Sequence, residues 1–249
     1  MTPNLRKLLF ETLYKNRYLY RFASTVPFAG QWRIWQRLVL PRIVGKDVLE
    51  LGCGLGDLFA DMLALGFACR AVEYSPQMVA AARDTLRKRK LGEATWITQG
   101  SAQHLPFADA SFDTVVSTFP SEYIYDPATI AEVARVLRPN GRVLVIEGAN
   151  LLPVGWLQTP LVLLQAFVYG PAALFGPRVQ QTLRDEVARS KATTDASIVT
   201  EVLPDAWFGR LIPLEQVGLQ RRAERIRSRR WEVYITIGEK GATPTIAEL

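Results

Sequence analysis

The stretch Asp47-Val-Leu-Glu-Leu-Gly-Cys-Gly-Leu-Gly56 decides the reading of this chain. Val48–Leu51 is a short β-rich run that ends in three alternating glycines, and Asp57–Leu65 continues with helical character. Glycines are needed there because the backbone must turn tightly and let a ligand approach without Cβ atoms in the way. A bare alternation of glycines after a strand is shared by many nucleotide-binding folds. Two acids sharpen it: Glu50 stands on the strand before the turn, and Glu73 ends the next strand. An acid about twenty residues beyond such a turn can accept hydrogen bonds from both ribose hydroxyls.

Outward from this turn, β-rich and helical stretches alternate. Ala68–Glu73 reads as a second strand and Pro76 to about Lys90 as a helix with proline in its first turn. Thr95–Thr98 is a short third strand, Phe112–Thr118 a fourth and Pro127–Leu137 a helix. Arg138-Pro-Asn-Gly141 is a turn before the strand Arg142–Glu147. This rhythm predicts an α/β fold, a mainly parallel sheet with helices on both faces. Arg221–Ile226 and Trp231–Ile237 then form an antiparallel hairpin, with Trp231, Val233, Ile235 and Ile237 in strand alternation.

Four series carry a family resemblance: Leu49-Glu-Leu-Gly-Cys-Gly54, Val72-Glu-Tyr-Ser-Pro-Gln-Met78, Leu105-Pro-Phe-Ala-Asp-Ala-Ser-Phe-Asp113 and Glu132-Val-Ala-Arg-Val-Leu-Arg-Pro-Asn-Gly141. In order and spacing, residues 45–148 resemble class I S-adenosylmethionine-dependent methyltransferases, above all the branch of ubiquinone and menaquinone biosynthesis. The resemblance implies a Rossmann-like, doubly wound, seven-stranded sheet with a C-terminal antiparallel hairpin. It implies S-adenosyl-L-methionine as cofactor and S-adenosyl-L-homocysteine as product. Transferred residue by residue, it puts the backbone of Gly52, Cys53, Gly54 and Gly56 against the methionine part, with Glu50 supporting its amino group. Glu73 is then the ribose ligand, Tyr74 and Met78 flank the adenine, and Ser101 and Ala102 lie at its edge. Ser117 and Thr118 line the floor beneath the sulfonium, and Glu122 and Tyr123, with Tyr125, are the catalytic candidates nearest the methyl. Ser101 stands where the family usually has Asp, which leaves adenine recognition leaning on Gln99 or Gln103.

Other residues have plainer readings. Asp57 either caps the following helix or touches the cofactor. His104, the single histidine, reads as a loop residue beside the adenine pocket, and Cys53 as a small filler of a tight loop. No His/Cys/Asp cluster has ligand spacing, so no metal is expected. The arginines at 221, 222, 225, 227, 229 and 230 fit a charge-protected sheet edge better than a nucleic-acid patch, because no aromatic residues interleave them. Nor does an Asn/Asp-Pro-Pro-Tyr motif follow the fourth strand, only Ser117-Thr-Phe-Pro120, so no nucleic-acid partner is expected.

The 249 residues are expected to form one domain, with a cofactor-binding core at 45–148 and a final helix and hairpin at 204–240. Two segments stand outside that core. Residues 1–40 predict helices, a lid or anchor, with Leu5, Leu8, Leu9 and Leu13 at helical spacing beside Arg6 and Lys7 and many aromatics after them. Residues 149–203 form an apolar, helical insertion after the fifth strand, and no charged residue occurs from Gly148 to Pro177. Its longest helix-worthy piece, Leu161–Tyr169, would span ~15 Å against a hydrocarbon core of ~30 Å, too short to cross. A lid over an apolar pocket or a shallow insertion fits better, and both point to a lipophilic small-molecule acceptor.

The net charge of +6 and a pI near 9.5 make an anionic membrane surface a candidate partner. Two cysteines and no signal-peptide pattern predict a cytoplasmic protein, peripheral at the inner membrane face if the basic segment binds lipid. A soluble hydrophobic metabolite as acceptor, or a cofactor-binding module that regulates a partner, are the alternatives.

Overall fold

Strand β1 (Asp47–Leu51) lies between β2 (Ala68–Glu73) and β4 (Phe112–Thr118) and runs parallel to both. A computed structural model describes residues 31–93, 96–151, 199–203, 211–228 and 231–242. Helix α1 is Trp32–Gln36, α2 Asp57–Ala64, α3 Pro76–Arg89 and α4 Pro127–Val136. With β3 (Ile97–Gln99), β5 (Leu137–Leu151), β6 (Val199–Leu203), β7 (Leu219–Arg227) and β8 (Trp231–Lys240), the described strands make one eight-stranded sheet in the order β3-β2-β1-β4-β5-β8-β7-β6.

Strands β1 to β5 are mutually parallel, and β8, β7 and β6 join antiparallel to their neighbours. The order in which strands are added reverses at β1/β4, so the crevice beyond the carboxyl ends of these strands is the switch point where such folds bind ligands. Side chains alternate between two apolar layers. Val48, Val116, Leu144 and Ile146 face α2 and α3 through Leu58, Phe59, Val79 and Leu86, while Leu49, Leu51, Val115 and Val145 face α4 through Ile130, Val133 and Val136. Each of the larger side chains contributes roughly 1.5–3 kcal/mol by leaving water.

The helices begin where local chemistry allows. Ser75 caps α3, its Oγ accepting the Met78 amide, with Pro76 in the first turn and Arg87, Lys88 and Arg89 in the last. Asp126 caps α4 by accepting the Ala128 amide ahead of Pro127. The expected turn at 138–141 is a bulge inside β5: Asn140 has φ +63°, and the pairing with β4 jumps from Leu137 to Arg142.

Three expectations change. The described sheet has eight strands rather than seven, because Val199–Leu203, expected within a helical insertion, pairs antiparallel with β7. Strand β7 is therefore interior, and its charges do not guard an edge: Glu224 is buried and bonded to Arg42 at 2.8 Å, and Arg225 is buried too. Third, β5 runs on to Leu151 beside β8, four residues past its expected end. Residues 1–30 and most of 149–198 lie outside the described residues, and so do the lid-or-anchor expectations for them. Among the described residues, no helix is long and apolar enough to cross a membrane.

Candidate functional site

The glycine turn is shaped by what lies on either side of it. Gly52, Gly54 and Gly56 all have positive φ, a region that side chains with a Cβ rarely adopt. A Cβ on Gly52 would meet the Tyr123 hydroxyl at 2.8 Å, and one on Gly56 would meet the backbone of Ala82 on α3 at 2.9 Å. The turn is thus pressed between a tyrosine and a helix.

Tyr123 sits on the 3-10 turn Glu122–Tyr125 that follows β4. Its hydroxyl lies 2.8 Å from that of Ser117, and each lies 3.2 Å from the Leu51 carbonyl oxygen. Ser117 and Tyr123 therefore brace the end of β1 from below. Thr118 is held from the other side, its Oγ1 accepting from Gln36 Nε2 at 3.2 Å. Glu122 is exposed on the same turn. Phe119 follows with φ +53° and stacks on Trp32, ring centroids 4.0 Å apart. Strain of this kind in a residue with a Cβ clusters at ligand sites.

Two carboxyls meet the turn. Glu73 accepts the Gly54 amide at 3.0 Å on one oxygen and the Ser75 amide at 2.9 Å on the other. It is largely buried, and each oxygen keeps a second lone pair. Glu50 is 1% exposed, and its Oε2 has no partner. Burial, reinforced by the Glu73 charge, pushes its carboxyl up to about 8. A buried oxygen left over in this way is one that a ligand's ammonium can satisfy. Burial first, then Glu50 and Glu73, pushes the Cys53 thiol well above its ordinary value, so it stays a thiol and fills space.

Beyond Glu73 opens a cleft of about 410 Å³ lined by Tyr74, Pro76, Gln99, Gly100 and Ser101. Tyr74 is 79% exposed on its rim, as an aromatic awaiting a flat partner would be. The Ser101 hydroxyl donates to Gln103 Oε1, and Gln103 Nε2 donates to Asp126 at 3.1 Å. An acid is thereby linked to Ser101 through Gln103, while Gln99 lines the cleft directly. Ala102 lies half-buried beside the α4-side core. Met78 is placed differently from expectation: its side chain is fully buried with Leu55 and Ala81 and does not line this cleft.

Asp57 does not cap the helix that follows the turn. Gly56 holds the cap position of α2, and the Asp57 carboxylate pairs with Arg33 at 2.8 Å and Arg89 at 3.0 Å. Asp61 binds Arg33, Arg37 and Arg89, so five charged groups tie α1 to α2 and α3 beside the cradle. His104 is exposed on the loop after β3. Among the described residues, no group of three His, Cys, Asp or Glu is placed to hold a metal.

Sequence reading missed Glu147. It follows Ile146, where the pairing of β5 with β4 ends, accepting from the Thr236 hydroxyl on one oxygen and from Tyr125, 3.4 Å away, on the other. Nothing local marks it, since Thr236 is 89 residues distant.

Comparison with known proteins matches this site to one family. Residues 49–145 match the family described as methyltransferase domain. Over 151 residues the chain is 32% identical to the demethylmenaquinone methyltransferase of Corynebacterium glutamicum (strain R), covering 59% of this chain and 61% of that protein. It is 29% identical over 147 residues to the enzyme of the same name from Lactiplantibacillus plantarum, covering 56% and 60%. The chain thus spans about three-fifths of the length of these curated relatives. Two solved structures share the fold. A candidate S-adenosyl-L-methionine-dependent methyltransferase from Methanococcus maripaludis has a TM-score of 0.54 at 17% identity, covering 94% of this chain and 95% of that one. A SAM-dependent methyltransferase from Aquifex aeolicus has a TM-score of 0.50 at 13% identity, covering 89% and 98%. Residues 49–145 are thus similar to a methyltransferase domain, and the fold is shared with the solved methyltransferase structures.

Proposed function

We propose that the protein transfers the methyl group of S-adenosylmethionine to a lipophilic acceptor of the quinol type. The observation that carries the acceptor class is the identity with relatives named demethylmenaquinone methyltransferase, which extends over more than half of the chain. In this reading the backbone of Gly52, Cys53, Gly54 and Gly56 borders the methionine part. The orphaned oxygen of Glu50 receives its ammonium, and Glu73 receives the ribose hydroxyls on the lone pairs that the loop amides leave free. Tyr74, Gln99 and Ser101 receive the adenine, with Ala102 nearby, whereas Met78 supports the turn from behind.

The bound sulfonium supplies an already activated methyl group. What remains for the protein is alignment and exclusion of water. Ser117 and Tyr123 do the first by fixing the end of β1 against β4, which sets the floor on which the reacting carbon must lie. Tyr123 is a positioning residue in this account, with its hydroxyl engaged beneath the turn. Trp32 and Phe119 offer an aromatic wall at the same end of β4, suited to a flat ring.

A lipophilic acceptor resides in a bilayer, and the basic, aromatic segment 1–40 and the charge-free run 148–177 are the parts of the sequence suited to meeting one. The test is incubation of the purified protein with S-adenosylmethionine carrying a labelled methyl and a short-chain prenylated naphthoquinol in anionic vesicles. One methyl per quinol is the expected product, with the protein co-sedimenting with the vesicles more strongly at low salt. Absence of labelled quinol from folded, cofactor-bound protein would end the acceptor reading.

A further inference from the structure

Strand β5 carries an acid to the place where β4 stops. Thr118 pairs in register with Ile146, and the Phe119 amide donates to the Ile146 carbonyl at 2.8 Å. Glu147 comes next, and here the ladder with β8 shifts: Ile146 pairs with Ile235 and Gly148 with Tyr234, leaving Glu147 as the bulged residue. Bulges re-aim side chains, often beside active sites. This one turns the Glu147 carboxyl to the hydroxyls of Thr236 and Tyr125. The 3-10 turn Glu122–Tyr125 accordingly spans two stations, with the Tyr123 hydroxyl under the glycine turn and the Tyr125 hydroxyl at Glu147.

The surroundings keep this acid from being an ordinary surface carboxylate. Burial raises its pKa, tempered by the Thr236 hydroxyl, the Arg221 charge and the Tyr125 hydroxyl. By strand alternation Tyr234 and Glu232 of β8 share the face of Thr236, and register places Arg221, Arg225 and Arg227 of β7 on that face as well. These, with Tyr125, are the titratable and charged groups that the neighbouring elements turn towards it among the described residues. On the opposite face β8 is apolar, with Trp35 against Trp231 and Val233 buried, and the charges that β7 carries there, Arg222 and Glu224, are already paired with each other and with Arg42. An acceptor lying over the end of β4 would therefore find its hydroxyl partner on the Glu147 side.

We propose that Glu147 is the general base that takes the hydroxyl proton of the acceptor, with Tyr125 and Thr236 as positioning residues. This inference rests on the quinol reading above. As the ring carbon next to the hydroxyl-bearing carbon attacks, its electron pair forms the new carbon–carbon bond. The methyl carbon–sulfur bond breaks with its pair left on sulfur, which neutralises the sulfonium. The acceptor O–H bond breaks in the same event, and its proton passes to Glu147. The methylated ring carbon then loses its own proton to water while Glu147 returns a proton to the oxygen, which restores the aromatic quinol. One proton is released in total, and no oxidant or reductant is required. A carboxyl whose pKa is raised by burial is a stronger base than an ordinary carboxylate.

A carboxyl present only to satisfy Thr236 and Tyr125 would be replaced without loss by glutamine, which has the same shape and can still accept. That contrast makes the test. Steady-state methylation of the prenylated naphthoquinol is followed from acid to alkaline pH for wild type, Glu147→Gln and Glu147→Asp, with folding checked by thermal melts and cofactor affinity by calorimetry. Wild type should show kcat rising with pH through one acidic limb. Glu147→Gln should lose a hundredfold or more in kcat, lose that limb, and keep KM and cofactor affinity, while Glu147→Asp should recover part of the rate and the limb. Wild-type rate and an unchanged profile in a folded Glu147→Gln would overturn the base assignment alone. No quinol turnover by cofactor-bound wild type would overturn the acceptor reading and the base with it.

Discussion

The two halves of the sheet are built on different principles. From β3 to β4 the strands are parallel, short and buried, and they end in a crevice bordered by backbone: glycines at 52, 54 and 56 and amides gathered by Glu73. From β5 to β6 they pair antiparallel and run on past the crevice, and they carry charge into the interior, with Glu224, Arg225 and Glu232 buried. The parallel half can hold a cofactor whose shape does not vary, and backbone geometry suffices for that. The antiparallel half presents side chains, which is where recognition of an individual acceptor belongs. The family match ends at residue 145, just before Glu147.

The sharpest way to break this division is to damage the parallel half alone. Gly56→Val places a Cβ 2.9 Å from Ala82 at a φ of +75°. The left-handed backbone and the overpacking together should cost about 3 kcal/mol, lowering Tm by several degrees and abolishing measurable cofactor binding. A Gly56→Val protein that melts like wild type and binds S-adenosylmethionine would mean that the turn is not under the constraint described. Glu73→Ala should be gentler. It removes the acceptor for Gly54 and Ser75 and, in the proposed reading, for the ribose, so affinity should fall by ~2–3 kcal/mol, about thirtyfold or more. Calorimetry on the folded variant decides it, and quinol binding in the antiparallel half should be unaffected.

Much of the parallel half was legible because its signals are local. Glu50, the glycines and Glu73 lie on one strand–turn–helix–strand run, and Pro76 and Pro127 mark helix starts that the structure repeats. The structure does not carry over every role, and Met78 shows why. Its place in the motif suggests an adenine neighbour, but the third residue of a helix capped at Ser75 turns its side chain inward against Leu55. In the antiparallel half the information is non-local. The arginines of 221–227 read as edge protection because nothing in their own stretch announces that β6 covers them. Strand β6 lies at the end of a long insertion, where pairing is decided by tertiary context rather than by propensity. Glu147 read as the last residue of a strand, and only the bulge against β8 reveals where its carboxyl goes. Glu122, singled out by its position near the methyl, is exposed, and its turn-mate Tyr123 braces the cradle from below.

The smallest expected effect gives the most direct measurement of the central claim, that the parallel half is a cradle for S-adenosylmethionine. An ordinary glutamate ionises near 4.5, so above that pH the unfolded chain carries no proton at this residue, whereas the folded protein keeps one on Glu50 until about 8. The stability contributed by this raised pKa is fully present below 4.5 and is lost as pH climbs to about 8. An ammonium delivered to the orphaned oxygen favours the ionised form, so cofactor binding near pH 7 should expel most of a proton. Affinity should rise with pH up to that point, by at most about tenfold per unit. Calorimetric titration of S-adenosylmethionine in buffers of different ionisation enthalpy counts that proton. The account predicts saturable one-to-one binding to wild type with proton release near pH 7, and binding without release in Glu50→Gln. Folded wild-type protein that gives no saturable heat with S-adenosylmethionine at any pH would contradict it.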